Sequence, residues 1–491
     1  MTADQQRNTV LATLLTELTW SPSQLADAIN GLLGPGYVAR NTVADWLNLD
    51  RLPRHPLPTV VAHLISDTLD RDVCLDRLWS GRAQPAEFWV PADAGMTLPW
   101  TATGTVEVLD DWLGHTGGSI GMDRRIFLAV SGTALTAPAW GYVDHLGTRD
   151  DSFAALADDR RSITITPTMV DSVAATTAGL RRLVNLEGGN PDNLRFVHHH
   201  LTWVAKLLRQ ARFTTHAVAN RLLSEWAQLA QLGAWTAMDA GQHGLSQRYL
   251  ISALHAAHTA GDRCIGTYLL ADMSQCRVIQ GHLADGVDLG RAARDAAELV
   301  NAAYEVSRST PAALRALTAS AFAKAHAAVG DARGFHTAAD EARALLGSPG
   351  ALDTRPPYLT WFDFGGLEMG LAESALLLSG VSSRGCRTLL DDATTTFERS
   401  IADPARTPRS IMFGAAWLSR AHLAADDLDR AVPAAHVALN RSSAVRSRRN
   451  TLVLHQLETD LTTLPPHRRP APIRSLHDQL RANHAICPPQ P

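Results

Sequence analysis

Apolar residues recur at helical spacing through the first 80 residues and predict four helices that pack as one compact unit. The predicted helices cover about 10–18, 22–31, 41–50 and 57–69. Ser21 and Pro22 supply an N-cap and a first-turn proline for the second helix, and a glycine-rich stretch breaks it before the third. In the third helix Val43, Trp46 and Leu47 share one face, which is expected to point into the core.

Helical spacing continues through the second half of the chain, where no strand-like alternation occurs between 165 and 460. Residues 81–164 contain prolines and glycines and predict a linker with connecting helices, one of them short and centred on 106–113. The stretch MDRRIFLAVSGTALTAPAW at 122–140 imitates a twin-arginine export signal. It lies far inside the chain, so a buried internal helix is expected instead. Residues 461–491 predict a flexible, basic and proline-rich tail.

The second half also repeats. Breaks between two helices recur every 40 to 50 residues, at Gly241, Gly281, Gly330, Gly380 and Asp426. Five residues after the breaks stand Ser246, Gly286, Phe335, Gly385 and Ala431, and twelve residues after them stand Ala253, Ala293, Ala342, Asp392 and Ala438. Most of these residues are small, and small residues seven apart on one helix let its partner pack closely along a single seam. The pattern resembles tetratricopeptide repeats with units longer than the usual length of about 34 residues. An irregular helical bundle is the alternative.

The segments SPSQLADAIN, ARNTVADWLN and LDRLPR, which follow one another from Ser21 to Arg54, resemble a helix-turn-helix of the Xre type. The resemblance implies that the helix beginning near Asn41 is the recognition helix, whose start enters the major groove of DNA. Four polar residues of that helix are then available to base edges: Asn41, Thr42, Asp45 and Asn48. Three arginines bracket it and are candidates for phosphate contacts: Arg40, Arg51 and Arg54.

Three features depart from this family pattern. The connection from Ile29 to Asn41 is longer than the usual turn, and Leu47 stands where an acidic residue commonly follows the tryptophan. Residues 1–100 hold seven arginines against eleven acidic residues, which is a poor balance for neutralising phosphates. A small helical bundle used for protein contacts is therefore the alternative for this unit.

The order of these features along nearly the whole chain resembles the long helix-turn-helix/tetratricopeptide regulators of actinobacteria. The most specific match is the stretch that contains Trp235, Asp239, Gly241, His243, Gly244 and Tyr249. The resemblance implies an all-α fold with an N-terminal helix-turn-helix domain (1–80) followed by an α-solenoid of tetratricopeptide-like helix pairs (165–460). It further implies a transcriptional regulator of differentiation or secondary metabolism. The candidate residues for an effector in the solenoid groove are Trp235, Asp239, His243 and Tyr249.

Other chemistry is not expected. Nucleophile-elbow, P-loop and HExxH motifs are missing, so we expect no enzyme and no cofactor. Three adjacent histidines, His198 to His200, point about 100° apart on a helix and cannot share one metal ion. The five cysteines (Cys74, Cys264, Cys276, Cys386 and Cys487) form no CxxC pair, which favours free thiols in a reducing cytoplasm. Neither a secretory signal nor a membrane span is expected, because the best apolar stretch, 126–143, is diluted by polar and small residues.

The formal net charge of −4 excludes a polycation that coats nucleic acid, so any DNA contact must be local. Residues 401–491 are nevertheless basic, with twelve arginines against seven acidic residues, and a cluster of four arginines follows the last repeat: Arg441, Arg446, Arg448 and Arg449. The cluster is either a solvated end of the array or a second contact, with DNA or with the acidic N-terminal domain.

The leading hypothesis is a homodimeric, one-component regulator that binds double-stranded DNA. Its solenoid would receive a peptide, a protein or a small molecule. The alternative is a repeat adaptor that sequesters other regulatory proteins and does not bind DNA.

Overall fold

The computed structural model describes residues 7–33, 37–54, 57–69, 73–82, 98–116, 129–147, 163–283, 287–381, 386–465, 467 and 469–486. These residues are almost entirely α-helical, as the periodicity predicts. The described part contains two strands of three residues, β1 (Ile163–Ile165) and β2 (Ala211–Phe213), which pair in parallel with Ile163 opposite Ala211.

The N-terminal unit contains the four predicted helices and one short additional helix. They are α1 (Thr9–Glu17), α2 (Pro22–Leu33), α3 (Arg40–Asn48), α4 (Leu57–Leu69) and α5 (Leu75–Leu78). The core of this unit is a separate apolar cluster in which Trp46 of α3 meets Trp79 edge to face, with ring centroids 6.4 Å apart. Trp79 is completely buried and donates its indole N–H to the carbonyl of Pro58 at 3.1 Å. The additional turn of helix therefore closes the core that the four predicted helices begin.

The remaining helices are mostly consecutive pairs. They are α6 (Ala102–Thr116), α7 (Thr133–Asp144), α8 (Pro167–Glu187), α9 (Pro191–Gln210), α10 (His216–Asp239), α11 (His243–Ala260), α12 (Arg263–Leu283), α13 (Leu289–Ser307), α14 (Ala312–Ala328), α15 (Ala332–Leu346), α16 (Phe364–Val381), α17 (Cys386–Ala402), α18 (Pro408–Ala424), α19 (Leu428–Leu439), α20 (Arg448–Thr463) and α21 (Ala471–Ile486). From α10 to α19, each even-numbered helix packs most extensively against the helix that follows it. Short connections make such neighbours antiparallel hairpins.

Three of the five predicted breaks fall at the turns inside these hairpins, and two fall near the ends of helices. Gly241, Gly330 and Asp426 have φ angles of 80°, 78° and 67°, and lie between the two helices of their pairs. Gly281 and Gly380 lie at the ends of α12 and α16. A methyl group added at Gly281 would come within 2.5 Å of the Cβ of Ala292, so glycine there permits a close approach of α13. The breaks at Gly241, Gly330 and Asp426 are thereby confirmed, whereas Gly281 and Gly380 are still helical and lie just before the ends of α12 and α16.

The predicted seam is buried, with one shift. Ala253, Ala293, Ala342 and Ala438 have no exposed surface. Ser246, Phe335 and Ala431 are also buried, whereas Gly286 and Gly385 lie outside the described residues. The prediction is wrong at Asp392, which is exposed, because in α17 the seam position belongs to the next residue, Ala393.

Helices α6 and α7 lie against the paired helices. α6 packs on α11 and α9, and α7 packs on α13 and α11. The indole of Trp100, just before α6, stacks on the His255 imidazole with a centroid distance of 4.0 Å. The short helix predicted around 106–113 lies within α6, and the helix predicted over 122–140 begins only at Thr133, its first seven residues lying outside the described part. None of the described helices is long and apolar enough to cross a bilayer.

Candidate functional site

Helix α3 is held by one face and presents the other to solvent. Val43, Trp46 and Leu47 are buried in the N-terminal core, as their spacing predicts. The predicted contact residues Arg40, Asn41, Thr42 and Asn48 are exposed. Ala39 occupies the N-cap and gives no side-chain hydrogen bond to the first turn, where Ser, Thr, Asp or Asn normally satisfies an amide. The start of α3 therefore combines exposed polar side chains with a helix terminus suited to a phosphate.

The unusually long connection between α2 and α3 is closed by one side chain. The amide of Asn30 accepts a hydrogen bond from the Val38 N–H at 2.8 Å and donates one to the Val38 carbonyl at 2.9 Å. Val38 itself is buried, which fixes the chain just before α3. The extra length is thus accommodated while α3 still packs against α2. Residues 34–36 of the connection lie outside the described part.

Two predicted contact residues are bonded to each other. Arg51 Nη1 lies 2.8 Å from Asp45 Oδ2, and the two side chains are 65% and 43% exposed. An exposed pair of this kind contributes little to stability, so either member is available to another partner. Arg54 is exposed, whereas Pro53 before it is buried. An arginine that the prediction omitted, Arg82, binds the carboxylate of Asp50 at 2.7 Å and ties the end of this unit to the loop after α3.

A second polar centre lies at the end of α10, around the completely buried Asp239. Its Oδ2 accepts hydrogen bonds from the Gly189 N–H at 2.6 Å and from Arg409 Nη2 at 2.9 Å. Its Oδ1 accepts from Ser447 Oγ at 2.6 Å and from the Arg449 N–H at 3.3 Å. One carboxylate therefore joins the α8–α9 loop, α18 and the start of α20.

A second buried carboxylate, Glu373 of α16, completes this centre. It accepts from Lys324 Nζ at 2.9 Å and from Arg449 Nη2 at 3.1 Å. The Arg449 guanidinium also lies over the rings of Phe413 and Trp235, at 4.2 Å and 5.6 Å from their centroids. Burial alone would raise the pKa of Glu373, but the two cations lower it to about 2. The carboxylate is therefore ionised at neutral pH.

The four residues predicted for an effector groove have three different environments. Trp235 and Asp239 belong to the centre around Arg449. His243 lines a separate cavity of about 20 Å³ with Ser246, Gln247 and Arg277, which has room for about one water molecule. Burial lowers the pKa of His243 to about 4, so its imidazole is neutral there. Tyr249 is buried, and its hydroxyl is 2.8 Å from His198 Nδ1.

The three adjacent histidines have three different environments. His198 contacts Tyr249, His199 is exposed, and His200 stacks on Trp203 at a centroid distance of 5.3 Å. Within the described residues no group of three His, Cys, Asp or Glu side chains is placed to hold a metal ion. Cys74, Cys264 and Cys276 are free thiols. The side chain of Cys386 and the whole of Cys487 lie outside the described part.

The predicted arginine cluster after the last repeat is divided between surface and interior. Arg446 remains 71% exposed, with a guanidinium nitrogen 3.7 Å from Asp192 Oδ2. Arg449 is only 13% exposed and is bound to Glu373. This arginine is therefore neither part of a solvated end nor free to contact DNA. One signal for its partner was present in the sequence. Glu373 is the one charged residue in the mostly apolar run GLAESALLL, where an unpaired charge would be costly.

Comparisons with protein-family models, with characterised proteins and with solved structures each found no match to this chain.

Proposed function

We propose that this chain is a DNA-binding transcriptional regulator, with residues 1–80 as a helix-turn-helix domain and the paired helices as a tetratricopeptide-like solenoid. The observation that carries the proposal is the orientation of α3. Three apolar side chains hold the helix in its core, while Arg40, Asn41 and Thr42 are exposed at its start. A recognition helix needs this division, because only its outward face can reach base edges.

In this proposal the exposed residues divide into two roles. Asn41, Thr42 and Asn48 read base edges, since amide and hydroxyl groups hydrogen-bond to bases in the major groove. Arg40 and Arg54 contact phosphates, and Arg51 does so once its guanidinium leaves Asp45. Asp45 accepts from a cytosine amino group when it is free of that arginine.

The proposal includes a homodimer. Helix α3 has nine residues and can contact only a few base pairs. Two such helices at half-sites one helical turn apart give the specificity that one cannot. The helix pairs from α8 onward are proposed to hold the two copies together and to receive the signal, because stacked hairpins offer long continuous surfaces.

An adaptor that binds proteins instead of DNA is the second candidate. The acidic balance of residues 1–100 favours it, and the Asp45 carboxylate adds negative charge to the proposed DNA face. Such a face would suit a basic protein partner better than a phosphate backbone.

The two candidates are separated by selecting genomic fragments from the host with the full-length protein and measuring binding over a salt series. The regulator predicts a preferred sequence and an affinity that falls steeply with salt. The adaptor predicts no sequence preference. Arg77→Ala, a change of an exposed arginine on α5 outside the proposed interface, is the control and should bind like the parent.

A further inference from the structure

Helix α20 contacts parts of the array that are not its neighbours. In a stacked array each hairpin contacts the hairpins before and after it. For α20 these neighbours are α18, α19 and α21. The segment just before α20 nevertheless reaches the end of α8, where the Arg446 N–H donates to the Glu187 carbonyl at 3.1 Å. Further along, Gln456 Nε2 donates to the His282 carbonyl at the end of α12 at 2.6 Å. Helix α20 thus lies across the first helices of several pairs.

Both polar and apolar contacts hold α20 in this position. Ser447 and Arg449 bind the two buried carboxylates, Asp239 and Glu373. Apolar residues of α20 join a cluster that includes residues from α10, α12, α16 and α18: Val453, Leu454, Leu457, Met238, Ile279, Leu283, Met369 and Trp417. The array is therefore closed on itself by a segment from its own far end.

The ion pairs around Asp239 and Glu373 are compatible with release of α20. Each carboxylate has a cationic partner on a helix other than α20: Arg409 of α18 for Asp239, and Lys324 of α14 for Glu373. Removing α20 therefore leaves neither carboxylate as an isolated buried charge, which would cost several kcal/mol. A buried ion pair contributes little net stability, so the contact of Arg449 with Glu373 does not by itself prevent release of α20.

We propose that α20 is a releasable internal ligand of the helix array, and that the socket formed by Asp239, Glu373, Trp235 and Phe413 accepts an arginine at the start of a helix. Release of α20 opens the array and exposes this socket. The inference does not depend on DNA binding, since every contact that carries it lies outside residues 1–80.

The first test is hydrogen–deuterium exchange of the full-length chain, comparing the parent with Arg449→Ala and with the milder Ser447→Ala. Arg449→Ala should speed exchange in 446–457 and at the α8–α9 loop about tenfold or more, with 289–346 unchanged. Ser447→Ala should give the same pattern at smaller amplitude. Arg430→Ala, which removes an exposed arginine paired within α19, is the matched control and should exchange like the parent. Unchanged exchange at 446–457, or a rise spread evenly over 289–346, would overturn the proposal.

The second test supplies the ligand from outside. A labelled synthetic peptide of residues 444–465 should bind full-length Arg449→Ala at least tenfold more tightly than the parent, whose socket is filled, and should bind Ser447→Ala more tightly than the parent by a smaller factor. The same peptide carrying Arg449→Ala should not bind. If neither variant binds the peptide better than the parent does, α20 is a fixed part of the array and the proposal is wrong.

Discussion

Arg409 and Asp239 stand 170 residues apart in the sequence, yet Nη2 of the one lies 2.9 Å from Oδ2 of the other. The Asp239 side chain is completely buried, and that of Arg409 is 14% exposed. The pair connects α18 with the end of α10, so it spans most of the helix array. Because both charges have been removed from water, the loss of either one should be felt by the whole array.

Arg409→Ala should destabilise the chain by about 3–5 kcal/mol, since it removes the cation that compensates a buried carboxylate. The double variant Asp239→Asn/Arg409→Ala should be less destabilised than Arg409→Ala alone, because it leaves no uncompensated charge. Urea unfolding, monitored by circular dichroism, measures the free energy of unfolding of the single and the double variant. As a control, Arg343→Ala removes a half-exposed arginine bound to Glu368 at 2.7 Å and should cost about 1 kcal/mol or less. If Arg409→Ala and Arg343→Ala destabilise the chain equally, Arg409 does not compensate the buried charge of Asp239.

The one-residue shift of the seam in α17 predicts opposite outcomes for two adjacent substitutions. Ala393→Leu places extra methyl groups in a close helix contact and should cost about 1–3 kcal/mol. Asp392→Leu changes an exposed residue and should alter stability by about 0.5 kcal/mol or less. Thermal unfolding measures the stability of the two variants. If Asp392→Leu is the more destabilised of the two, the seam position in α17 is residue 392 and the shift is wrong.

Acid should weaken the fold through buried histidines. Burial lowers the pKa of His243 and His282 to about 4 and that of His255 to about 3, all below the ordinary value of 6.5. Between these values and 6.5 the unfolded chain binds more protons than the folded chain, so stability is lost as the pH falls through this window. For His255 alone the loss from pH 7 to pH 5 is about 2 kcal/mol.

Substitution isolates this histidine contribution. Burial raises the pKa of Asp272 to about 7, which opposes the histidines over part of the same range. The comparison is therefore between the parent and His255→Phe, which keeps an aromatic ring against Trp100. Both ring nitrogens of His255 are buried and have no hydrogen-bond partner among the described residues, so phenylalanine should be tolerated. Melting temperatures at pH 7 and pH 5 should differ less in the variant than in the parent. The same difference in both would show that His255 does not titrate in this window.

The proposed DNA interface predicts two classes of variant. Arg40→Ala and Arg54→Ala should weaken binding to all sequences and reduce the slope of log affinity against log salt by about one each. Asn41→Ala and Thr42→Ala should broaden the preferred sequence, with the salt slope kept. Fluorescence anisotropy with the selected site and with scrambled DNA measures both effects. If all four variants bind like the parent, α3 does not read DNA.

The helices and the turns between them follow from the amino-acid sequence alone, because both depend on neighbouring residues. The apolar period placed α1 to α4 within a few residues of their observed bounds. Gly241 and Gly330 could be recognised as turns because a residue at positive φ carries the least steric cost when it is glycine. The spacing of Val43, Trp46 and Leu47 likewise determined which face of α3 is buried and which polar residues remain outside.

The partners of the buried charges depend on how the helices assemble. Asp239 binds groups 50, 170, 208 and 210 residues away, and no local pattern encodes contacts of that range. In the sequence Arg449 is one of four clustered arginines with no sign of burial, yet it is bound to Glu373, 76 residues earlier. A charge becomes buried when the helices around it assemble, so its environment depends on the geometry of the whole array and not on its neighbours in the chain.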